Sequence, residues 1–351
     1  GSTMVRILVT GFEPFGGHLR NISSELVEAL PDRLLLNDPW ADIREHSVEP
    51  LDASIDTRIL TVDQPGSIEI STLIQQGMEW DAILHVGLCE TCTMPRLETR
   101  AQDRIEMRIP DNSGRQILKQ EITGQGDLSV QAPIKSWMTR TWPIECEIST
   151  DAGTFLCNET LYRTLSALAD TAVHDKLTTP CFFLHLPSHE NCPLPSALSF
   201  VHEILQRMMF RPVLSVVGAL ITRNEHYFVA RRAPNQSHAG KWEFPGGKIE
   251  GDESMIQALE REMKEEFGWH VACKHSVGTW YHALEHIDIA LHILPTSFLG
   301  EQPNFENNSE WTAHDAIAWR KLSDLLPIDW LGNDRAVVEW MKQTDYLSTT
   351  M

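Results

Sequence analysis

The amino-acid sequence predicts an α/β fold in two domains, and three observations support this prediction. The chain has 351 residues, which is long for one domain and sufficient for two. In its first half, apolar β-branched runs alternate with segments of helical periodicity, which favours an α/β/α sandwich with a largely parallel sheet. A helical pattern that ends at Met209 is broken by Pro212, so we place a boundary there, between domains of residues 4–210 and 211–351.

Composition and charge restrict the class of protein. Hydrophobic residues make up 42% of the chain, as in ordinary globular proteins. The formal net charge of -20 argues against a surface for duplex nucleic acid, but not against nucleotides, whose phosphates a bound metal can neutralise. The sequence shows no apolar run of membrane-spanning length and no signal peptide, so we expect a cytoplasmic protein without a membrane partner. Gly1–Thr3, before Met4, are interpreted as a remnant of expression.

The cysteines indicate the redox environment. Seven cysteines, an odd number scattered along the chain, suggest a reducing compartment rather than a disulfide framework. Cys89 and Cys92 form a CxxC pair, but the sequence lacks a second CxxC or a histidine pair at zinc-finger spacing. We therefore expect no zinc site.

Hydrophobic patterns place the elements of the first domain. Apolar runs predict strands at Val5–Val9, Arg58–Val62, Asp81–Val86 and Cys181–Pro187. Helical spacing predicts helices, the first capped by Ser23 or Ser24, around Leu26–Leu30, Leu73–Met78, Leu161–Leu168 and Ser196–Met209. A glycine-rich turn at 11–17 and a second turn at Gly87 follow predicted strands, and parallel sheets place their sites at such strand ends.

Two side chains of the first domain have the chemistry for nucleophilic catalysis. Cys157 lies close to a predicted helix N-terminus, where the helix dipole favours a thiolate. His185 lies near the end of a predicted strand, and a thiol nucleophile needs such a base together with a carboxylate that orients it. Taken singly, each residue also fits a structural role, the cysteine as a small buried hydrophobe and the histidine as part of the core.

A series of motifs resembles the pyroglutamyl peptidase I family, cysteine peptidases that remove an N-terminal pyroglutamate. The resemblance spans about Val5 to Met209, and its motifs are VTGFEPFGG at 9–17 followed by Asn21, HVGL at 85–88, RIPDN at 108–112, AGTFLCN at 152–158 and FLHLP at 183–187. It implies that Cys157 is the nucleophile, that His185 is the base, and that Glu98, ten residues after HVGL, is the orienting carboxylate.

The same resemblance implies how the substrate is held. Phe12 and Phe15 would flank the lactam ring, which is flat and apolar on its faces, and Asn21 would belong to the substrate-binding set. The substrate is then a pyroglutamyl peptide, and no cofactor is expected for this domain.

The chain departs from the family pattern at three positions. Cys92 occupies the place of an arginine that is expected near the reacting carbonyl, where a donor stabilises the oxyanion. Thr99 stands where an arginine usually follows the carboxylate, and Asp103 stands for an asparagine. Two alternatives stay open, an active peptidase and a catalytically weak or inactive scaffold that serves dimerisation.

Similar patterns place the elements of the second domain. Strands are predicted at Val213–Ile221 and Tyr227–Ala230, as a hairpin around 223–225, and at Val271–Trp280, His286–Leu294 and Ala316–Trp319. Helices are predicted at Ser254–Phe267, with Asp252, Glu253 or Ser254 as N-cap and Gly268 beyond its end, and at Arg335–Met341. Alternation in the strand at 286–294 predicts an exposed polar face that includes His286 and His292.

The glutamates of the helix at 254–267 need an explanation. Glu262, Glu265 and Glu266 are three and four residues apart, so they share one face and repel one another. A bound divalent cation would remove this repulsion, because Mg²⁺ prefers carboxylate oxygens and substrate phosphates. Arg261, four residues before Glu265, is placed to orient it. The alternative is an acidic surface helix whose glutamates face water.

The spacing of these residues resembles the signature of the Nudix hydrolases. The matching positions are Gly247, five residues, Glu253, seven residues, Arg261-Glu262, a hydrophobic residue, Lys264, Glu265-Glu266, Phe267 and Gly268. Trp269 departs from the pattern, because the family usually has an aliphatic residue there. The resemblance implies an α/β/α sandwich with a mixed sheet that holds Mg²⁺ or Mn²⁺. Its implied metal ligands are Glu262, Glu265, Glu266 and Glu253, with Glu262 activating water and with Glu265 and Arg261 in the catalytic set.

Flanking residues indicate the substrate class. The run ARRAPNQSHAGKWEFPGGKIE at 230–250 resembles the MutT-type branch, which acts on nucleoside triphosphates. This implies that Arg232 and Phe244 lie near a nucleotide and that Asn333 and Asp334 read the base edge, with helix capping as an equal alternative for that pair. Candidates for an additional metal carboxylate are Glu310 and Asp315. A ligand-sensing role for this domain, the identity of the nucleotide and a homo-oligomeric state stay open.

Overall fold

The computed structural model describes residues 3–173 and 178–346, which belong to two compact units. Within these ranges the first unit holds the chain up to Pro39, Val48–Ile134 and Trp142–Phe210, and the second holds Trp40–Ser47, Lys135–Thr141 and the chain from Arg211. Two parts of the chain with predictions lie outside the described residues. They are Gly1 and Ser2, interpreted as part of a remnant of expression, and residues 347–351, the predicted end of the second domain.

The elements before Arg211 alternate between strands and helices. The strands are β1 (Thr3–Phe12), β2 (Arg33–Leu36), β3 (Leu51–Leu60), β4 (Ala82–Leu88), β5 (Arg96–Glu98), β6 (Arg100–Ala101), β7 (Leu128–Ser129), β8 (Glu147–Ser149) and β9 (Cys181–Leu186). The helices are α1 (Ile22–Ala29), α2 (Gln64–Gln75), α3 (Ile134–Trp137), α4 (Leu156–Asp170) and α5 (Leu194–Met209). Across residues 3–173 and 178–346, no helix combines the length and apolar character needed to cross a membrane.

A seven-stranded mixed sheet forms the centre of the first unit, in the order β2-β3-β1-β4-β9-β5-β8. β1 is parallel to β3 and β4, and β9 is parallel to β4, whereas β5 is antiparallel to β9. Ile7, Leu8 and Val9 are all 0% exposed although successive strand residues point to opposite faces, so both faces of the sheet are covered. α2 and α4 pack on the face of Leu8, α1 packs on β1 and β4, and α5 packs on α1, β2 and β4. The predicted α/β/α sandwich is confirmed.

The elements after Arg211 are strands together with two principal helices. The strands are β10 (Val213–Leu220), β11 (Thr222–Arg223), β12 (His226–Arg232), β13 (Trp242–Glu243), β14 (Gly246–Lys248), β15 (Val271–Cys273), β16 (Gly278–Ala283), β17 (Asp288–Phe298) and β18 (His314–Lys321). The helices are α6 (Met255–Phe267), a 3-10 turn (Leu322–Asp324) and α7 (Asp334–Thr344).

The strands of the second unit form two sheets that lie between α6 and α7. One sheet has the order β14-β10-β17-β15, with β16 also on β17, and the other joins β12 to β11, β13 and β18. Ala219 and Phe228 share a hydrophobic cluster with α6, whereas their neighbours Leu220 and Val229 share a cluster with α7. Alternate strand residues therefore face opposite helices, and the predicted sandwich with mixed sheets is confirmed.

Two short segments from earlier in the chain pack within the second unit. The hydroxyl of Tyr281 donates to the carbonyl of Ile43 at 3.1 Å, and the N–H of Gly251 donates to the carbonyl of Thr139 at 3.0 Å. The sequence patterns gave no indication of this placement, because they predicted no element at 40–47 or at 135–141.

The hairpin predicted from Val213–Ile221 and Tyr227–Ala230 is wrong, because its first strand does not pair with its second. Positive φ angles at Asn224 and Glu225 close a tight turn, but it joins β12 to the two-residue β11. β10 instead pairs with β17 over its whole length in the other sheet. Periodicity identifies a buried strand but not its partner.

Other boundaries differ because capping and turn residues outweigh the apolar pattern. The helix predicted at Leu73–Met78 is α2, which begins at Gln64 because the Asp63 side chain accepts from the N–H of Gly66 and a proline opens the first turn. The strand predicted at Val271–Trp280 is interrupted between β15 and β16, which pair with different parts of β17.

His292 is buried, contrary to the exposed polar face predicted for its strand. Its side chain lies in β17 between β10 and β16, with ring nitrogens 3.2 Å from Ser215 Oγ and 2.7 Å from Thr279 Oγ1. Burial lowers the pKa of His292 to about 4, so the ring is neutral. Neighbouring hydroxyls therefore satisfy a histidine that the alternation assigned to solvent.

Replacing Leu259 by alanine tests the packing of α6. Leu259 is 0% exposed in the cluster between α6 and the strands, so Leu259→Ala should lower the free energy of unfolding by roughly 2–5 kcal/mol. Glu260→Ala, one residue on and exposed, should change it by less than about 0.5 kcal/mol. Urea unfolding followed by circular dichroism measures both, and equal effects would contradict the packing described.

Candidate active sites

Cys157 is the second residue of α4, whose N-cap is Phe155. Thiolates are favoured at this end of a helix, where the dipole is positive. A Cβ atom added at Gly87 would lie 3.0 Å from Cys157 Sγ and 2.9 Å from the ring of Phe183. The lack of a side chain at Gly87 therefore leaves room for the thiol. The turn predicted at Gly87 is wrong, because Gly87 lies within β4 and pairs with His185; its place in the HVGL motif was the available signal for the site.

His185 and Glu98 form the second half of this site. β5 runs antiparallel to β9, which places Glu98 Oε1 2.9 Å from His185 Nδ1, with Glu98 fully buried. Burial by itself lowers the pKa of His185, but the charge and hydrogen bond of Cys157, together with Glu98, outweigh it and raise the pKa to about 9. The structure thus brings together the three residues that the sequence assigned to nucleophile, base and carboxylate.

The predicted substrate residues occupy different positions around this site. Phe12 is 4% exposed, with its ring centre 6.3 Å from that of Phe183. Phe15 is half-buried and 5.3 Å from the ring of Phe155, the residue that caps the helix of the thiol. The side-chain oxygen of Asn21 accepts from the Ser23 N–H at 2.9 Å and caps α1, so Asn21 holds the start of that helix.

Cys89 and Cys92 are joined by a disulfide, which corrects the expectation of reduced cysteines at this pair. The turn after β4 brings their Cα atoms to 5.4 Å, within the range that a disulfide spans. Cys92 is 4% exposed, and the N–H of Cys89 donates to the carbonyl of Leu186 beside His185. The position expected to hold an arginine therefore carries a closed loop without a side-chain donor.

At the two other positions that depart from the family pattern, the side chains form hydrogen bonds with nearby backbone groups. Asp103 accepts from the N–H groups of Ile122, Thr123 and Gly126. Burial opposes ionisation of Asp103, but these backbone bonds prevail and lower its pKa. Thr99 Oγ1 donates to the carbonyl of Ser149 at 3.0 Å.

Helix α6 carries the acidic residues of the second unit and begins and ends as predicted. Ser254 accepts from the N–H of Gln257 in a reciprocal capping box, and Gly268 closes the helix with φ of 75°. Glu262 and Glu266, one turn apart, are largely buried, whereas the side chain of Glu265 is 59% exposed.

Arg261 connects several of these carboxylates. Its guanidinium donates to both oxygens of Glu253, at 2.7 and 2.9 Å, and to Glu262 and Glu265 at 3.0 and 3.1 Å. The hydrogen bond from Arg261 lowers the pKa of Glu253. The predicted contact with Glu265 is present, and Arg261 also holds Glu253, which the sequence placed among the metal ligands.

Glu262 and Glu266 lack full compensation for their charge. Burial raises the pKa of Glu262 despite Arg261, and a Cβ added at Gly247 would come within 2.3 Å of the Glu262 carboxyl carbon. Burial, followed by the charges of Glu243 and Glu262, raises the pKa of Glu266 to about 9. Its Oε2 has no hydrogen-bond partner among the described residues. Buried, mutually repelling carboxylates with a free oxygen fit a divalent cation.

The acidic side chains of this site do not converge on one point. In the described part of the chain, no group of three or more His, Cys, Asp or Glu side chains is arranged to hold a metal ion. Of the additional carboxylates considered from the sequence, Asp315 pairs with Arg231 at 2.8 Å, and a Cβ added at Gly268 would approach the Glu310 carboxylate.

Glu243 and His314 belong to this site and were missed by the sequence analysis. His314 Nε2 lies 2.9 Å from Glu243 Oε1, and its Nδ1 lies 3.9 Å from Glu266 Oε2. Arg232 Nη1 is 3.5 Å from Glu243 Oε1, so the predicted phosphate-binding arginine is joined to the same group. Glu243 stands in the EFPGG run, which was a usable signal, whereas His314 belongs to no motif.

The residues predicted to lie near a nucleotide also converge. Phe244 stacks on Trp330 with ring centres 5.0 Å apart, and the N–H of Phe244 donates to Asp334 Oδ2 at 2.9 Å. Burial raises the pKa of Asp334 well above its ordinary value. The Asn333 side chain makes no capping hydrogen bond and donates to the carbonyl of Tyr281 at 3.0 Å. Trp330 was not predicted from the sequence.

Comparison with known proteins assigns both stretches of the chain. The family model for pyroglutamyl peptidase matches residues 5–192, and that for the NUDIX domain matches residues 212–341. A pyrrolidone-carboxylate peptidase of Deinococcus radiodurans is 31% identical over 53% of this chain and 79% of its own length. A CTP pyrophosphohydrolase of Escherichia coli is 34% identical over 30% of this chain and 75% of its own length. A crystal structure of pyrrolidone carboxyl peptidase from Thermus thermophilus has a TM-score of 0.44 at 28% identity, over 57% of this chain and 99% of that one.

The extent of these matches decides the family. The first family model covers more than half of the 351 residues, and the Escherichia coli relative is matched over most of its length. The resemblances stated from the motifs are therefore confirmed. The chain joins a member of the pyroglutamyl peptidase family, residues 5–192, to a member of the Nudix family, residues 212–341, and both are families of hydrolases.

Proposed function

We propose that the chain is a bifunctional hydrolase that removes N-terminal pyroglutamate from peptides and cleaves the diphosphate linkage of a nucleoside triphosphate. The observation that carries the peptidase assignment is the 2.9 Å contact between Glu98 and His185, next to Cys157. A buried carboxylate, an imidazole and a thiol in this order match the requirements of thiol catalysis.

In the peptidase reaction, Cys157 Sγ attacks the carbonyl carbon that links pyroglutamate to the next residue. His185 gives its proton to the leaving amine as the C–N bond breaks, which leaves a thioester. His185 then accepts a proton from water, which hydrolyses the thioester and frees the thiol. Glu98 orients the imidazole throughout, and Phe15 offers its ring to the lactam. With Cys92 in a disulfide, the first-turn N–H groups of α4 supply the favourable potential for the oxyanion.

In the second domain, Glu262, Glu265 and Glu266 would hold the divalent cation that Nudix domains generally need. Mg²⁺ or Mn²⁺ held by these carboxylates would supply a Lewis acid for phosphate oxygens and for water. Glu262, largely buried under Gly247, accepts the proton of the attacking water, and Arg261 holds the carboxylates in place.

The nucleotide itself would be held by four further residues of this domain. Arg232 contacts a phosphate oxygen as a charged donor. Phe244, Asn333 and Asp334 face the base, and a buried neutral Asp334 can donate as well as accept a hydrogen bond there. The name of the Escherichia coli relative makes CTP the first nucleotide to test.

Removing the thiol tests the peptidase assignment. Cys157→Ala should lower release of pyroglutamate from a chromogenic amide by at least about 10³-fold, because a nucleophile acts as a unit with its base. Cys146→Ala is the matched control, since Cys146 is also half-buried and burial raises the pKa of its thiol to about 12. Equal and negligible rates in wild type and Cys157→Ala would identify the first domain as an inactive scaffold.

The raised pKa of His185 predicts a pH dependence of stability. A histidine whose pKa rises from 6.5 to about 9 on folding stabilises the protein fully below 6.5 and loses that contribution as pH rises through 9. The difference in unfolding free energy between wild type and His185→Gln should therefore shrink between about pH 6 and about pH 9.5. For His292→Gln the difference should instead grow by less than about 1 kcal/mol up to about pH 7.5, as the unfolded histidine loses its proton, and stay constant above that, because the pKa of the folded His292 is about 4. Parallel curves for the two variants would refute the charge assignment.

Removing acidic groups from α6 tests the nucleotide assignment. Glu265→Gln and Glu266→Gln should each lower metal-dependent hydrolysis of CTP or another nucleoside triphosphate by at least about 10²-fold, the scale on which one electrostatic stabiliser acts. Glu260→Gln removes a charge from the exposed side of the same helix and should leave the rate unchanged. A panel of nucleotides that shows no turnover with either Mg²⁺ or Mn²⁺ would instead support a sensing role.

A further inference from the structure

Two buried polar atoms face each other in the second unit without a hydrogen-bond partner. His314 Nδ1 and Glu266 Oε2 are 3.9 Å apart, and both are unsatisfied among the residues that the structure describes. The separation is too long for a direct hydrogen bond. Buried polar atoms almost always find a partner, so a facing pair of unsatisfied atoms calls for something between them.

The surroundings of His314 fix what its free nitrogen can do. The side chain is 0% exposed, and its ring lies 4.9 Å from the ring of Phe267 at an interplanar angle of 4°. Nε2 lies 2.9 Å from Glu243 Oε1, and a carboxylate accepts, so this contact requires the proton on Nε2. Nδ1 then presents a lone pair to Glu266. When Glu266 is ionised, two acceptors face each other, and they need a cation, or a donor such as water, between them.

We propose that His314 Nδ1 is a ligand, beside Glu266 Oε2, of the divalent cation bound by the second unit. The 3.9 Å between these two atoms would allow an ion to bond to both of them at about 2.1 Å. The contact of Glu243 with Nε2 supplies the outer hydrogen bond that commonly orients a metal-binding imidazole. This inference rests on the proposed nucleotide hydrolysis and specifies its metal.

A nitrogen ligand changes which ion the site prefers. Mg²⁺ is bound through oxygen atoms, whereas imidazole suits first-row transition ions. With His314 contributing a nitrogen, the site favours Mn²⁺ over Mg²⁺. Glu262, one helical turn before Glu266, and phosphate oxygens of the substrate provide the oxygen ligands for the remaining positions.

Electron paramagnetic resonance of the full chain with MnCl₂ alone tests this ligand directly. Pulsed measurement on wild type should show coupling of the Mn²⁺ spin to a ¹⁴N nucleus. His314→Gln should abolish the coupling and weaken Mn²⁺ binding about tenfold. Binding of Mg²⁺, measured by competition, should change less than about twofold. The matched control is His292→Gln, which replaces an equally buried histidine whose ring nitrogens both face hydroxyls, and which should retain the coupling.

The outcomes separate this inference from the function on which it rests. Mn²⁺ bound without ¹⁴N coupling would overturn the inference and leave a water between the two atoms, with the hydrolase proposal intact. Coupling that persists in His314→Gln would assign the nitrogen to another histidine and overturn it as well. Absence of Mn²⁺ binding to wild type would remove both proposals. His314→Asn serves as a second variant if the first does not fold, and the wild-type spectrum decides the presence of nitrogen in either case.

Discussion

The second unit depends on burying carboxylates of like charge along one face of α6. Glu262 and Glu266 lie one turn apart, and burial raises the pKa of both. Arg261 compensates part of this repulsion through its contacts with Glu253, Glu262 and Glu265. Glu266 keeps a free oxygen within the described residues, which is the electrostatic reason to expect a cation at this end of the helix.

The first unit balances buried charge in a different way. Glu98 is as deeply buried as any residue of the sheet, and its partner is a histidine from the neighbouring strand. The protein supplies both members of that pair, and the thiol stands at a helix N-terminus that already favours negative charge. One chain therefore buries glutamates at two candidate sites and compensates them by different means, an imidazole in one and an arginine in the other.

The sequence predicted the residues that motifs specify and missed those that belong to tertiary packing. Cys157, His185 and Glu98 are far apart in the chain, yet the first two lie in motifs and Glu98 lies at a set distance after one, and the structure places them together. His314 lies in no motif, and an isolated histidine in a strand is usually structural. The disulfide at Cys89 was not predicted, because CxxC spacing is equally compatible with free thiols, a metal site and a bond. The pairing of strands was not predicted for a similar reason. Hydrophobic alternation indicates which strand residues are buried, but it contains no information about which strand is the neighbour.

The two segments at 40–47 and 135–141 have a practical consequence for dissecting this chain. A single cut after Phe210 would separate Ile43 from the hydroxyl of Tyr281 and Thr139 from the N–H of Gly251. The isolated C-terminal fragment would lose backbone acceptors that it uses, and the isolated N-terminal fragment would carry two stretches evolved to pack elsewhere. The halves are thus interleaved in sequence, and neither corresponds to a fragment that can be excised at one peptide bond without loss.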